Sequence, residues 1–516
     1  MRRRGFDTRN GWAGGLLLVS LLMLVAEQEA RGQAQSAPPS TRLLIRGGLL
    51  VDGSGEPGRV ADLRIVGDQI VEVATRLRPR PGETILEAKG LVVAPGFIDI
   101  HNHSERGLAE DPTARSQILQ GITTLAVGPD GNSPWPVAQY LSWAQEKRVA
   151  PNLLAFVGHA TVRREVMGDD FRRPATPQEI TRMAQLVEQG MREGAVGLSS
   201  GLEYDTGNPA TTEEVITLAR AAARFRGIYM SHVRDEADAV MDAFREAVRI
   251  GREAALPVQI SHIKLGTVGV WGKAAEAAAL IEEARRDGLD VTADCYPYDA
   301  WASTITVLVP SRRHDDPVAV RRGLDDVGGP GNVLITNCRA HPDYEGKTLE
   351  AVGTLRGTDA VEAYIAIVRD GGAGVVCRSM TEADIRTFMT QPWVMVSSDG
   401  GIGMRHPRGA GTFPRVLSRF VREGKWMSLE TAIHKMTELP AARLSLQDRG
   451  SLRKGMKADV VIFDAEKVLD RSTMLEPTLD PVGILHVFIN GRAVVRDGQV
   501  TGERPGTVHR HTTSRR

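Results

Sequence analysis

The sequence predicts an α/β protein: a (β/α)8 TIM barrel with a small β-sandwich domain formed from both termini. The middle of the chain alternates short apolar runs with alanine-rich, amphipathic stretches, a pattern typical of a parallel α/β fold. Both ends of the globular region carry short alternating strands separated by glycine turns, which indicates one small domain built from the two termini. A chain of 516 residues is long enough for both parts.

Residues 1–34 have the layout of a signal peptide. A positive start at residues 2–4 precedes an apolar run at 13–26, and small residues at 32–34 offer a cleavage site. The apolar run is short for a membrane span, so we expect no stable span after cleavage. Residues 3–6, Arg-Arg-Gly-Phe, also fit a twin-arginine signal, which leaves both export routes open. The protein is therefore predicted to be exported to the periplasm.

Residues 35–93 are predicted as the N-terminal part of the β domain, and residues 446–505 as its C-terminal part. Short runs such as 62–65 and 458–463 are strand-like, with glycine-containing turns between them. The polar residues 506–516 are predicted to form a disordered tail.

Residues 94–445 predict the barrel, because eight apolar strand-like runs can be counted along this part of the chain. The gap between the seventh and eighth runs is long, and about residues 301–375 are predicted as an insertion. On this fold an insertion there lies over the C-terminal face, where active sites are found. The predicted strands cover residues 92–100, 122–128, 152–158, 194–200, 227–232, 257–262, 290–296 and 392–398.

The charge balance argues against nucleic acid as a partner. The 64 lysines and arginines match the 64 aspartates and glutamates, whereas phosphate binding usually leaves a basic excess. The cysteines Cys295, Cys338 and Cys377 are far apart and odd in number, so neither a disulfide framework nor zinc-ribbon spacing is visible. We expect a small-molecule substrate, and the sequence leaves the oligomeric state open.

Six residues that can bind a metal ion fall at or just beyond the C-terminal ends of the predicted strands. His101 and His103 are two residues apart on an extended segment, so their side chains face the same side and can share one ion. Imidazoles and carboxylates hold Zn²⁺ while leaving a position for water, whose pKa the ion lowers from about 15.7 toward 7. A carboxylate beside the ion can take the water proton and deliver it to a leaving nitrogen, and Asp399 is predicted as this catalytic group. The six predicted ligands are His101, His103, Asp130, His232, His262 and Asp399.

Several motifs resemble those of one enzyme family. Residues 95–103, Pro-Gly-Phe-Ile-Asp-Ile-His-Asn-His, resemble the opening signature of the amidohydrolase superfamily. Narrower matches are similar to its N-acyl-D-amino-acid deacylase (D-aminoacylase) branch, and the resemblance covers residues 42–505. These matches lie at residues 197–204, 229–234, 259–264, 296–298, 398–400, 406–408 and 411–415.

The resemblance implies a hydrolase that cleaves the amide of N-acyl-D-amino acids with the help of one or two divalent ions, zinc in the first place. It implies that His101, His103 and Asp399 surround a weakly occupied metal position. It also implies that His232 and His262 hold a tightly bound zinc.

The resemblance assigns substrate contacts to Lys264 and Tyr296, and it assigns the pairing with a free substrate carboxylate to Arg408. A guanidinium suits that role because it can hold a carboxylate through two parallel hydrogen bonds.

The residue after the second strand departs from the family pattern. Better-known members have a zinc-ligating cysteine there, whereas this chain has Asp130, and its fourth strand offers Ser199 and Ser200 but no lysine that could bridge two ions. Asp130 is therefore predicted as the ligating or bridging group. A carboxylate makes the site harder than a thiolate does, so Mn²⁺, Co²⁺ or Fe²⁺ are expected to be tolerated alongside zinc.

Two other functions stay open at this point. The protein could be a different amidohydrolase, acting on dipeptides with a D-residue or an isoaspartyl residue, or on cyclic amides. It could also be a non-catalytic binding protein on a barrel scaffold, although the presence of all six predicted ligands argues against this.

Overall fold

Eight parallel strands of the structure, a computed structural model that describes residues 41–512, follow one another around a ring. The predicted signal peptide lies outside the described residues. Each strand pairs in parallel with the next, and a parallel bridge between Asn102 and Gly400 joins the last to the first. Ring strands 1 to 8 are Phe97–Asn102, Ile122–Val127, Asn152–Ala155 with Val157–Gly158, Gly197–Gly201, Ile228–His232, Val258–Ile260, Val291–Cys295 and Val394–Val396.

All eight predicted strand ranges overlap a ring strand, but the first range was drawn across two sheets. Val92–Pro95 pairs with strands of the terminal β sheet, and only Phe97–Asn102 belongs to the ring. The two strands are separated by Gly96, whose amide donates to the carbonyl of Asp459 at 2.9 Å. The prediction of one strand over 92–100 is therefore wrong, because a continuous apolar run does not reveal a change of hydrogen-bonding partner.

Helices connect the ring strands and pack their apolar faces on them. Pro177–Arg192 shows why these segments are helical: Thr176 and Glu179 form a reciprocal capping box at its start, and its buried residues Met183, Val187 and Met191 are four apart. Within the described part of the chain, no helix combines the length and apolar character that a membrane span requires. The helices of the ring are Arg115–Ile118, Val137–Lys147, His159–Met167, Pro177–Arg192, Thr212–Ala223, Val240–Ala254, Ala274–Arg286, Glu382–Met389, Arg408–Arg415 with the π-helix Val416–Glu423, Leu429–Met436 and Glu438–Arg443.

The segment between ring strands 7 and 8 folds into its own small layer of strands and helices. Ala300–Thr304 and Val333–Asn337 both pair antiparallel with Gly374–Arg378. Three helices flank this sheet: Pro317–Asp326, Leu349–Arg356 and Ala360–Arg369. We call residues 300–378 the insertion.

Strands from both ends of the described chain join one nine-stranded sheet, the terminal sheet. Its hydrogen bonds run without a break from the C-terminal strands through Val92–Pro95 to the N-terminal strands, so it is one continuous sheet where two separate sheets of a sandwich were expected. Successive side chains of the strand Val460–Phe463 point to opposite faces of the sheet. Val460 and Ile462 pack in a core within this sheet, whereas Val461 and Phe463 pack in the main core with the ring. The nine strands are Arg42–Leu50, Arg59–Val66, Gln69–Ala74, Thr84–Glu87, Val92–Pro95, Val460–Phe463, Ile484–Ile489, Arg492–Arg496 and Gln499–Val500.

The C-terminal segment 506–512 lies along ring strand 3. The amide of Leu153 donates to the carbonyl of Thr507 at 2.9 Å, and that of His509 donates to the carbonyl of Leu153 at 2.8 Å. Farther on, the amide of His511 donates to the carbonyl of Gly194 at 3.0 Å. The prediction of a disordered tail over 506–516 is wrong for residues 506–512, because their backbone groups pair with the ring.

Candidate active site

A cavity of about 390 Å³ lies at the C-terminal ends of the ring strands, and the insertion supplies one of its walls. Five of the six predicted ligands line it, whereas His101 is fully buried beside them. Trp301, Val307 and Leu308 of the insertion form part of the lining. The lining ligands are His103, Asp130, His232, His262 and Asp399.

One group of predicted ligands comes from ring strands 1, 2 and 8. His101 Nε2 lies 3.3 Å from Asp130 Oδ2 and 3.5 Å from Asp399 Oδ1. His103 Nε2 lies 3.3 Å from each of the same two oxygens. Two imidazole nitrogens and two carboxylate oxygens therefore converge on one point.

The other group comes from ring strands 5 and 6. His232 Nδ1 lies 2.9 Å from His262 Nε2, which in turn lies 3.6 Å from Asp130 Oδ1. Asp130 thus turns one carboxylate oxygen toward each group of histidines. Ligand atoms of His101, Asp130, His262 and Asp399 lie within 4.8 Å of one another.

The charges of this cluster control its protonation. Burial alone would lower the pKa of His101, but the carboxylates of Asp130, Asp294 and Asp399 raise it to about 10. Burial alone would raise the pKa of the Asp130 carboxyl, but the charges of His101 and His262 hold it well below its ordinary value. The carboxylates are therefore ionised at neutral pH and require nearby positive charge.

The residues present fit a divalent metal ion. Asp130 Oδ1 is buried and accepts no hydrogen bond from the residues that the structure describes, which is costly for a carboxylate oxygen unless a cation neutralises it. Imidazole nitrogens and carboxylate oxygens together suit Zn²⁺, and also Mn²⁺, Co²⁺ and Fe²⁺.

Arg408 is buried in the cavity wall beside Asp399. Its Nη1 lies 2.7 Å from Asp399 Oδ2, and its guanidinium stacks over the ring of Tyr296 at 4.8 Å. Its backbone amide donates to His406 Nδ1 at 3.0 Å, and His406 Nε2 donates to the carbonyl of Ala300 at 3.1 Å. Burial, with the adjacent Arg408 charge, holds the pKa of His406 well below its ordinary value, so a neutral imidazole fixes the arginine in place.

Lys264 lines the cavity, whereas Tyr296 does not. Lys264 Nζ lies 2.6 Å from Glu236 Oε1 and 2.8 Å from His262 Nδ1. The ring of Tyr296 is buried behind Lys264 and Arg408, outside the lining of the cavity. The structure therefore places Tyr296 where it supports the two cationic side chains.

Three of the predicted ligands have left-handed backbone conformations that non-glycine residues rarely adopt. The φ angles are 55° for Asp130, 34° for His262 and 45° for Asp399. Such conformations persist where the surrounding structure imposes them, and they cluster at functional sites.

Two acidic residues beside the histidines were not found from the sequence. Glu203 Oε2 lies 2.8 Å from His232 Nε2, and Glu236 Oε1 lies 3.1 Å from His262 Nδ1. Each glutamate lies within four residues of the C-terminal end of a ring strand. This position is the feature of the sequence that could have identified them.

Comparison with known proteins adds to this geometry. A model of the amidohydrolase family matches residues 84–495. The D-aminoacylase of Alcaligenes xylosoxydans xylosoxydans is 36% identical over 506 residues, which cover 93% of this chain and 100% of that protein. The N-acyl-D-glutamate deacylase of the same organism is 36% identical over 496 residues, which cover 92% of this chain and 97% of that protein.

A solved structure is similar over nearly the same length. It is the N-acyl-D-glutamate deacylase of Bordetella bronchiseptica, crystallised with zinc and a phosphonate inhibitor that mimics the tetrahedral intermediate of the reaction. Its TM-score is 0.83 at 34% identity, with 91% of this chain and 99% of that chain covered. The matches to the family model, to these relatives and to this structure all span most of the sequence, and the chain belongs to the amidohydrolase family.

Proposed function

We propose that this protein is a metal-dependent deacylase that hydrolyses N-acyl-D-amino acids to a carboxylate and a free D-amino acid. The ring and its helices form the (β/α)8 barrel, and the terminal sheet forms the small β domain. Relatives at 36% identity over more than nine-tenths of this chain are deacylases of such substrates, which supports the proposal.

One observation carries the substrate assignment: five of the six predicted ligands line the cavity, with His101 buried beside them, and a buried guanidinium lies next to them. Arg408 lines the cavity next to Asp399, and its Nε is buried without a partner among residues 41–512. A donor that the described protein leaves unpaired can be satisfied by a substrate carboxylate, which is the group that an N-acyl-amino acid always carries.

His101, His103, Asp130, His232, His262 and Asp399 would hold one or two divalent ions, with zinc as the first choice. A bound ion supplies an activated water molecule and polarises the carbonyl of the scissile amide.

Asp399 moves the proton. Its Oδ2 is paired with Arg408, so Oδ1 faces the histidines and is the oxygen that can take a proton from the attacking water. As the new C–O bond forms and the C–N bond breaks, the same carboxyl delivers that proton to the leaving nitrogen. The nitrogen leaves as the amine of the free D-amino acid.

The test uses purified protein loaded with Zn²⁺, Mn²⁺ or Co²⁺ and a panel of N-acetyl-D-amino acids, N-acetyl-L-amino acids, cyclic amides and isoaspartyl dipeptides. We expect release of D-amino acids and little release of L-amino acids. Hydrolysis of only the L-substrates, of only cyclic amides, or of only isoaspartyl dipeptides would contradict the proposal.

We also propose that residues 1–34 direct export to the periplasm, on the strength of their positive start and apolar run. Fractionation of cells that express the full chain tests this: the mature protein is expected in the periplasmic fraction. Retention of the full-length chain in the cytoplasm would contradict it.

A further inference from the structure

Two carboxylates that line the cavity beside the His232 and His262 rings have no role in the reaction described above. We propose that Glu203 and Glu236 are positioning residues, each holding the outer ring nitrogen of one histidine so that the inner nitrogen is ready for a metal ion. The proposal rests on the metal site of the proposed function, but it concerns metal affinity and not the substrate.

Glu203 fixes His232. The two ring nitrogens of His232 face opposite ways: Nδ1 lies 2.9 Å from His262 Nε2 inside the cluster, and Nε2 lies 2.8 Å from Glu203 Oε2 outside it. When Nε2 carries the hydrogen and donates it to Glu203, Nδ1 keeps its lone pair for an ion. A carboxylate on the far nitrogen selects this tautomer and fixes the orientation of the ring.

Glu236 keeps the ring hydrogen of His262 on Nδ1 although Lys264 can also donate a hydrogen bond to that nitrogen. Lys264 Nζ lies only 2.8 Å from His262 Nδ1, and a lysine that donates to this nitrogen would place the ring hydrogen on Nε2, where it blocks a metal ion. Glu236 Oε1 lies 2.6 Å from Lys264 Nζ and 3.1 Å from His262 Nδ1, so it can accept from both. The carboxylate therefore lets His262 keep its hydrogen on Nδ1 although the ammonium is adjacent.

The backbone of each glutamate is anchored from outside the histidine cluster. Arg312 of the insertion donates to the carbonyl of Glu203 at 2.6 Å. The amide of Gly266, in the loop after ring strand 6, donates to the carbonyl of Glu236 at 2.7 Å. A carboxylate held in this way can orient a histidine, whereas a mobile one could not.

The two glutamate–histidine pairs also follow the order of the ring strands. Glu203 comes from the loop after strand 4 and holds the histidine of strand 5, while Glu236 comes from the loop after strand 5 and holds the histidine of strand 6. Each ligand histidine of this pair is therefore positioned by the preceding loop.

The other two histidines lack such a contact. The nearest carboxylate oxygens to His101 Nδ1 and His103 Nδ1 are those of Asp294 at 3.5 Å and Glu105 at 3.8 Å. Neither ring nitrogen has a hydrogen-bond partner within the described residues. Positioning by a close outer carboxylate is thus particular to His232 and His262.

The experiment measures Zn²⁺ affinity by competition with a chelator, without any substrate, in Glu203→Gln, Glu236→Gln and the exposed control Glu276→Gln. We expect Zn²⁺ affinity to fall by about 10–100-fold in the first two variants, the usual effect of losing an outer-shell partner. The control should match the parent, and the melting temperature of each metal-free variant should stay close to that of the metal-free parent.

Two further measurements separate positioning from other roles. The absorption spectrum of bound Co²⁺ should keep its shape in both variants, since a changed shape would make the glutamate a ligand and overturn the proposal. Adding Lys264→Met to Glu236→Gln should restore part of the Zn²⁺ affinity, because the competing donor is removed. Unchanged Zn²⁺ affinity in both single variants would also overturn it.

The proposed function and this inference can be refuted independently of each other. A protein that binds Zn²⁺ tightly but hydrolyses no N-acyl-D-amino acid would refute the function, and the affinities of the variants would still decide the role of the glutamates.

Discussion

In the proposed function, Arg408 links substrate recognition to the catalytic carboxylate, since the same guanidinium contacts Asp399 and faces the cavity. We predict that Arg408→Ala lowers kcat/KM for N-acetyl-D-amino acids by about 100-fold or more, because truncating one partner of a buried charge pair costs about 2–5 kcal/mol. The measurement is steady-state kinetics on each N-acetyl-D-amino acid and on its carboxamide, which has no carboxylate.

The carboxamide separates the two contacts of Arg408. Loss of the contact with Asp399 affects both substrates, whereas loss of the contact with the carboxylate affects only the acid. Arg419→Ala, an arginine with an exposed ion pair to Glu382, is the matched control. Equal losses on acid and carboxamide would show that Arg408 does not recognise the carboxylate.

In the proposed function, Asp130 is the ligand that makes the metal site hard. We predict that Asp130→Cys shifts the preference toward Zn²⁺ over Mn²⁺ by about tenfold, or about 1.4 kcal/mol, since a thiolate favours the softer ion. Competition titrations with both metals on parent and variant measure the ratio. A ratio that stays the same, with both metals still bound, would mean that Asp130 does not ligate.

The sequence predicted which side chains lie together at the cavity better than it predicted their contacts. His101, His103, Asp130 and Asp399 could be placed together because the ends of parallel strands meet at one face of a barrel. The pairing of Glu236 with both Lys264 and His262 depends on how loops pack above the strands, and a residue pattern does not contain that information.

At the level of elements, the C-terminal segment 506–512 supports ring strand 3. Asn152 Oδ1, at the start of this strand, accepts hydrogen bonds from the amide and hydroxyl of Thr507 at 3.1 and 2.9 Å. We predict that ending the chain after Pro505 lowers the free energy of unfolding by about 2–3 kcal/mol, because buried groups of strand 3 lose their partners.

Urea denaturation of two truncated chains tests this prediction. A chain that ends after residue 512 keeps all the described contacts of the segment and serves as the control, which should unfold like the parent. Equal stability of both truncated chains would mean that the segment contributes nothing.

Sequence periodicity predicted the position of a strand or helix where the whole element lies in one environment. The ring strands are buried on both faces, so most of them lie in short stretches rich in apolar residues, which the sequence shows directly. The run at 92–100 changes sheet at Gly96, and the polar segment 506–512 pairs through its backbone. Neither event depends on side-chain polarity, which is why the pattern missed both.

On the scale of the whole molecule, a buried polar network joins the terminal sheet to the ring. The Asp459 carboxylate accepts from the guanidinium of Arg449, from Asn152 of ring strand 3 at 2.9 Å and from the amide of Asn490 at 2.7 Å. Residues 42–512 cluster as one compact unit, and this network connects parts of it that are far apart in sequence. Sheet and ring are therefore expected to unfold together.

Asp459→Ala tests that coupling. We predict a loss of about 3–5 kcal/mol in the free energy of unfolding, because the buried Arg449 guanidinium loses the buried carboxylate that neutralises it. The described tryptophans lie among the ring elements and in the insertion and none in the terminal sheet, so in a chain without residues 1–34 their fluorescence does not report on the sheet. If the network couples the two parts, the fluorescence midpoint in urea falls together with the far-ultraviolet circular dichroism midpoint. If the sheet unfolded independently, the tryptophan midpoint would stay at its parental value while the dichroism transition split in two.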